Sequence, residues 1–362
     1  MRPIFALLSF AIAAQTIAAE PAGKADPPAA KKLIEWGWDE PGTRFMRENV
    51  EKMERFPFDG VVFHAEGSRG GSLAWDIWGQ RKFELVEFQP AIDDLRATRF
   101  RRLTELFLRV NVTPGAVDWF DDAAWAVVLN NFGVAAQVAR DGGVRGFMFD
   151  VEQYNSQPFD YRKQKHQAAK PFADYRVKVR QRGREWIGEV AGRYPQITVL
   201  LPFGYSITQP RPGADRSTVS YGLLADFLDG MLEACPEKVR IVDAWESSYP
   251  YKKAEQFARA YETIKVKSAG WSAVPEKYGR VEAGFGLWMD HDWRQKAWNT
   301  SDFSKNHFTP GEFEQAVRAA LERSDCYVWI YTEQPRWWTG ERLPQAYVDA
   351  LARARQPAPG PR

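Results

Sequence analysis

Val144–Tyr154, VRGFMFDVEQY, sets an apolar run directly against two acids and an aromatic. It reads as a buried strand that ends in Asp150 and Glu152. Side chains along a strand alternate faces, so Asp150 and Glu152 point one way, while Phe147, Phe149 and Val151 point the other, toward covering helices. Two carboxyls therefore project from one strand end. Their mutual repulsion and partial burial can hold one of them protonated near neutral pH. An ion-paired structural Asp beside a solvated Glu would give the same triplet, so its meaning depends on where the strand falls in the chain.

Seven further short apolar runs share its character. The full set starts near Leu33, Gly60, Phe107, Gly146, Ile197, Arg240, Val281 and Tyr327. Amphipathic segments of helical period alternate with them: Thr43–Phe56, Arg99–Leu106, Asp121–Arg140, Phe172–Tyr194, Tyr221–Ala234, Lys252–Lys267, Pro310–Arg323 and Leu343–Arg355. Strand then helix, eight times over, predicts an α/β fold, a (β/α)8 TIM barrel. No second linker interrupts it, so residues 32–356 are expected to form one domain.

One face of each barrel strand must be apolar to meet the helices, which fixes what points inward. On the second strand Val61 and Phe63 face out, leaving Val62, His64 and Glu66 inward. On the third, Leu108 and Val110 face out, and Arg109 and Asn111 turn in. Val281, Ala283, Phe285 and Leu287 direct Trp288 and Asp290 inward from the seventh strand, and Val328 and Ile330 do the same for Trp329, Tyr331 and Glu333 on the eighth. Barrel enzymes build their sites on the rim where these strands end. The candidate catalytic residues are thus Glu152, Asp150, Glu333, Asp290 and Asp243. Candidate substrate-binding residues are His64, Glu66, Asn111, Tyr154, Tyr205, Glu246, Trp288 and Tyr331. On the first and sixth strands the parity is not decided, although Glu35, Asp39, Asp243 and Glu246 are available there. Long segments after strands two, four, five and seven carry Trp75, Trp78, Tyr154, Tyr161, Tyr205, Trp293 and Trp298, which suits walls around a groove.

Composition narrows the partners. The 362 residues are 44% hydrophobic and 27% charged, with a net charge of +2, which are globular values with no basic block to favour nucleic acid or an anionic membrane. Fifteen Trp are the outlier, and flat rings in loops stack well on sugar faces. Met1–Ala19 has an early Arg2, an apolar run over Ile4–Ala14 and small residues at its end. That is a signal-peptide pattern, and it predicts export to the periplasm or the extracellular space with no integral membrane segment in the mature protein. Glu20–Lys31 reads as a disordered tether and residues 357–362 as a disordered tail. Cys235 and Cys326 could bridge in an oxidising compartment, but they read better as two buried thiols. The four histidines, His64, His166, His291 and His307, are scattered without ligand spacing, so neither a metal nor another cofactor is expected. Nothing in the sequence specifies an oligomeric state.

A carboxylate-rich, aromatic-lined barrel mouth resembles the TIM-barrel glycoside hydrolase superfamily. The fourth strand is similar to the chitinase-like family 18 pattern D-x-x-D-x-D-x-E. It matches at Asp150 and Glu152 and departs from the pattern at Arg145 and Met148, which stand where two earlier Asp would be. That resemblance implies Glu152 as proton donor and Asp150 as its partner. A second resemblance, to retaining hydrolases with acids on strands four and seven, implies Asp290 or Glu333 as nucleophile. A third pattern, acids on strands four and six, would use Asp150 and Asp243. All imply a carbohydrate substrate. A non-catalytic carbohydrate-binding barrel would keep the same aromatics and use the acids only as hydrogen-bond partners.

Overall fold

The computed structural model describes residues 30–356. The signal-peptide pattern, all but the last two residues of the tether and the tail lie outside the described residues. Lys31, at the tether's end, is fastened to the barrel, its ammonium donating to the carbonyls of Ser324 and Asp325.

The strands are β1 (Lys32–Gly37), β2 (Gly60–Phe63), β3 (Glu105–Asn111), β4 (Gly146–Asp150), β5 (Thr198–Leu201), β6 (Arg240–Asp243), β7 (Val281–Ala283 and Phe285–Trp288) and β8 (Tyr327–Thr332). All pair in parallel, each with its neighbour in sequence, and β1 pairs with β8 from Lys32↔Tyr327 to Gly37↔Thr332. The two segments of β7 are halves of one strand. The first pairs with β6 and the second with β8, and Gly284 between them donates its N–H to Asp243 O at 2.8 Å. Nine segments therefore make eight strands and a closed barrel.

The principal helices are α1 (Thr43–Met53), α2 (Gln89–Ala97), α3 (Asp122–Asp141), α4 (Phe172–Arg193), α5 (Leu224–Ala234), α6 (Ala254–Glu262), α7 (Pro310–Arg323) and α8 (Gln345–Ala354). Their starts follow local chemistry. Asp121 caps α3 by accepting from Ala124 N, and Thr309 with Glu312 forms a reciprocal capping box ahead of Pro310 on α7. The helix expected over Arg99–Leu106 is instead α2, ten residues earlier. Pro90 suits a first helical turn, and a Glu84–Glu87 capping box precedes it, whereas Glu105 and Leu106 already belong to β3. The thiols of Cys235 and Cys326 are unbridged; Cys326 is buried and Cys235 only partly so.

Parity holds around the barrel. Ile34, Val62, Phe107, Met148, Leu200, Val242 and Trp329 meet in its interior, while Leu33, Val61, Leu108, Phe147, Phe149, Val199 and Val328 pack against the helices. Phe149 stacks on Trp186 with centroids 4.8 Å apart, fixing β4 against α4. The N-terminal end is sealed by polar groups: Arg240 pairs with Glu282 through two contacts of 2.7 and 2.5 Å, and the Tyr327 hydroxyl donates to Glu105 at 3.0 Å. Function is left to the opposite end.

At Gly286 the barrel interior leaves no room for a side chain. A Cβ there would sit 2.5 Å from the indole of Trp329, itself wholly buried. Gly286→Ala is expected to cost about 1–3 kcal/mol through overpacking, seen as a lower urea midpoint with an unchanged m-value.

Candidate active site

A cleft of about 580 Å³ opens at the C-terminal mouth, and its lining brings together Glu40, Glu152, Glu246 and Glu333 with Arg109, Arg294, His64 and a wall of aromatics. The floor is set by Arg109. It turns inward from β3 because Leu108 and Val110 take the helix-facing positions. Its guanidinium lies 3.5 Å from Asp150 Oδ2 and 3.4 Å from Glu40 Oε2, donates to Asn111 Oδ1 at 3.2 Å, and faces the Trp75 ring at 4.5 Å.

Asp150 is only 1% exposed and does not line the cleft. Its Oδ1 accepts from the Glu152 backbone N–H and its Oδ2 from the Tyr154 hydroxyl, both at 2.9 Å. It therefore positions those two residues. Burial raises its pKa, and the Arg109 charge works against that rise. Glu152, half-buried at the cleft wall, is also raised, by burial first and then by the charge of Asp150, with the Tyr154 hydroxyl opposing.

Glu246 follows β6 after Trp245, whose backbone takes the left-handed conformation at φ 34°. This region disfavours a bulky residue, and such strain concentrates at functional sites. The turn aims Glu246 into the cleft beside the strand-four acids. Burial, with the charges of Asp150 and Glu152 behind it, pushes its pKa up to about 9. This side of the cleft thus holds a proton at neutral pH.

Across the cleft stands Glu333, at the end of β8. It is ion-paired with Arg294, with Nη2 2.7 Å from Oε2, and it accepts from the Trp293 indole N–H and, at 3.3 Å, from the Tyr331 hydroxyl. Asp290 lies beneath, 1% exposed, accepting from the backbone N–H of Glu333 at 3.0 Å and of Gln334 at 2.8 Å and from the Trp288 indole at 2.9 Å. It holds Glu333 and Trp288 in place and does not reach the cleft; burial raises its pKa to about 6. Glu40 accepts from the Trp36 indole at 2.9 Å and sits 3.3 Å from His64 Nδ1. Burial alone would lower His64, but the Glu40 carboxylate outweighs it and the net shift is upward.

Of the residues singled out from sequence, Glu152, Glu246, Glu333, His64, Tyr154, Trp288 and Tyr331 line one cleft. Asn111 is fully buried beneath Arg109. Glu66 is exposed and lies outside the cleft lining, because the chain has already turned away after Ala65. Two others, expected at the rim, face the helix layer instead. Ile241 packs outward, so Asp243, two residues on, does too, and it is enclosed with Tyr205, Leu228 and Tyr278. Tyr205 donates to Asp229 at 2.7 Å, away from the cleft. Glu35 likewise faces outward and is fully buried. The expectation missed Glu40, Trp36, Trp38, Tyr249 and Arg294, and it read Arg109 as inward without giving it a role. Parity continued along β1 from Ile34 would have found Trp36; the loop residues carry no periodic signal.

No protein-family model matches the chain, and no curated protein matches it. Among solved structures it is similar to a GH5-4 broad-specificity endoglucanase from an uncultured bacterium (11% identity, 88% of this chain and 86% of that one, TM-score 0.49). It is also similar to a glycoside hydrolase family 5 enzyme from Prevotella bryantii B14 (10%, 91% and 97%, TM-score 0.49). A D-allulose 3-epimerase from Methylomonas sp. is also similar (12% identity, 90% of this chain and 96% of that one, TM-score 0.41).

Burial pushes the Asp243 pKa from 3.8 up to about 7. The folded state therefore binds a proton that the unfolded chain releases, and stability from this group is full below pH 3.8 and lost as pH rises through about 7. Asp243→Asn removes that loss. Thermal melts should show the variant gaining on wild type between pH 4 and 7, with the widest gap above about pH 7; an equal gap at every pH would contradict the outward, buried placement.

Proposed function

We propose that this chain is an exported glycoside hydrolase that cleaves a poly- or oligosaccharide by carboxyl general acid catalysis. The observation that carries this reading is electrical: one aromatic cleft has on one side acids whose pKa burial raises, and on the other an ion-paired carboxylate. Glycosidic cleavage needs that asymmetry, a protonated carboxyl for the leaving oxygen and a carboxylate for the oxocarbenium-like centre. The signal-peptide pattern of residues 1–19 supports the export.

Glu152 is the proton donor. It stands at the wall of the cleft, and its orientation is fixed from below through its own N–H on Asp150 and through Tyr154. As the bond from the anomeric carbon to the leaving oxygen breaks, the proton passes from Glu152 to that oxygen. Glu333 stabilises or attacks the carbon from across the cleft, and water supplies the hydroxyl that completes hydrolysis. Glu246, neutral at pH 7, donates a hydrogen bond rather than adding a third charge. Trp38 and Trp75, 51% and 43% exposed at the rim, offer flat faces for sugar rings, with Trp288 and Tyr331 deeper in. The chemistry calls for no cofactor.

Glu152→Gln should lower turnover of a responsive glycan by about 10²–10⁴-fold while binding in an affinity gel stays close to wild type; full activity would reject the assignment. Wild-type activity should fall on the alkaline side as the acid loses its proton, and Asp243→Asn should leave that profile unchanged. If wild type retains oligosaccharides but releases no reducing ends from a broad polysaccharide panel, the chain is a carbohydrate-binding barrel and not an enzyme.

A further inference from the structure

The segment after β7, from Trp288 to Thr309, brings together two of the histidines that lie apart in sequence. His291, Asp292 and His307 each offer a donor atom, and the three donors lie within 4.8 Å of one another. His291 Nδ1 is 3.2 Å from Asp292 Oδ1, and His307 Nδ1 is 3.7 Å from Asp292 Oδ2. The rings of the two histidines are 4.7 Å apart, tilted by 56°.

The hydrogen bonding around this group is incomplete in an informative way. His307 Nε2 is 3.1 Å from Pro250 O. A carbonyl can only accept, so Nε2 carries the proton, and in the neutral ring Nδ1 presents its lone pair. That lone pair faces the Asp292 carboxylate, acceptor against acceptor. His291 Nδ1 is buried and makes no hydrogen bond despite its 3.2 Å approach to Asp292. Asp292 is held between the two rings by a left-handed backbone, φ 64°, which a non-glycine residue adopts at a cost. Three groups able to offer electron pairs thus converge, with the Lys296 ammonium 3.9 Å from Asp292 Oδ2. A ring nitrogen fixed through its opposite N–H on a carbonyl is the arrangement that orients a metal-ligating imidazole.

We propose that His291, Asp292 and His307 form a binding site for a divalent transition-metal ion of the zinc class. Two imidazoles and one carboxylate suit that class, with a water completing the shell. Tetrahedral bonds of about 2.0–2.1 Å place ligand atoms roughly 3.4 Å apart; the 3.2 and 3.7 Å separations run to different oxygens of Asp292, so the carboxylate turns one oxygen toward both rings as the His291–His307 gap closes. Lys296 Nζ, 3.9 Å from Asp292 Oδ2 and on a largely exposed side chain, is the competing cation that the ion displaces. The site is a staple. It joins the two ends of a segment that carries Trp293 and Arg294 to Glu333, and through Pro250 it ties that segment to the connection between β6 and α6. His291 also packs edge-on against Trp288 of the cleft, centroids 5.0 Å apart.

The test uses the full chain, stripped with a chelator and titrated with zinc chloride in a calorimeter. One equivalent should bind, raise the melting temperature, and in the cobalt-substituted protein give the visible bands of a four- or five-coordinate ion. His307→Ala and, separately, Asp292→Asn should weaken binding at least about 100-fold while keeping a folded circular dichroism spectrum; His166→Gln, a histidine paired with Asp118 elsewhere, should not. Binding that is absent in wild type, is not one to one, or is unchanged in both site variants overturns the proposal. None of these readouts depends on glycan turnover, so the site stands or falls apart from the catalytic reading.

Discussion

The guanidinium of Arg109 is the constraint on which the cleft depends. Its side chain is 13% exposed and set between two acids, Asp150 at the end of β4 and Glu40 in the connection after β1. Removing one partner of a buried pair costs about 3–5 kcal/mol because the other charge is stranded, so the three groups specify one another. From Asp150 the order passes to the Glu152 N–H and the Tyr154 hydroxyl; from Glu40 it passes to the Trp36 indole and to His64. Side chains from β1, β2, β3 and β4 are registered by one cation. The Trp75 ring lies across its exposed face, so the positive charge is spent on the acids and the surface offered to a substrate is aromatic.

A second cation, Arg294, acts on the other side, and the difference between the two explains the electrical asymmetry. Arg109 lies below the acid cluster and is shared between two carboxylates, so burial still prevails at Asp150 and Glu152 and both are raised. Arg294 reaches in from the rim and pairs with Glu333 alone. Among the described residues Glu246 pairs with no cation, and it carries the largest shift of the cleft's glutamates. Where each acid sits relative to these two arginines decides which can give a proton and which can meet positive charge.

The fold was legible because most strands have one apolar face and one mixed face. On β2, β3, β4, β7 and β8 the alternation is unbroken, and the inward residues follow from counting. β6 shows where counting loses its grip. Ile241, Val242, Ala244 and Trp245 are all apolar, so neither face is marked, and Asp243 looks as available as Glu246. Only the contacts decide, with Val242 and Ala244 inside and Ile241 and Trp245 outside. Glu40 and Arg294 stand outside the strands, where no period operates, and their roles arise from partners distant in sequence. The misplaced second helix has a similar cause. Arg99–Leu106 has helix-forming residues, but Glu105 and Leu106 pair with β2 in register, and the helix moves back to where Pro90 and a capping box can start it.

Sequence and chemistry meet in the interior of the barrel at Trp329. A residue of that size fits only because β7 presents Gly286 opposite it and breaks its ladder at Gly284. The freed polar groups are not left bare: Ser248 Oγ accepts from Gly286 N at 3.1 Å and lies 2.8 Å from Gly286 O, while the Trp329 indole donates to Ala244 O at 2.8 Å. Ser248 belongs to the short turn that begins with Glu246, and that turn is entered through the left-handed Trp245. The position of the cleft's most strongly shifted glutamate is thus fixed by a glycine three strands from the acids that glutamate faces. A bulky indole in the core demands a gap in β7, the gap recruits the turn after β6, and the turn carries Glu246 to the strand-four carboxyls.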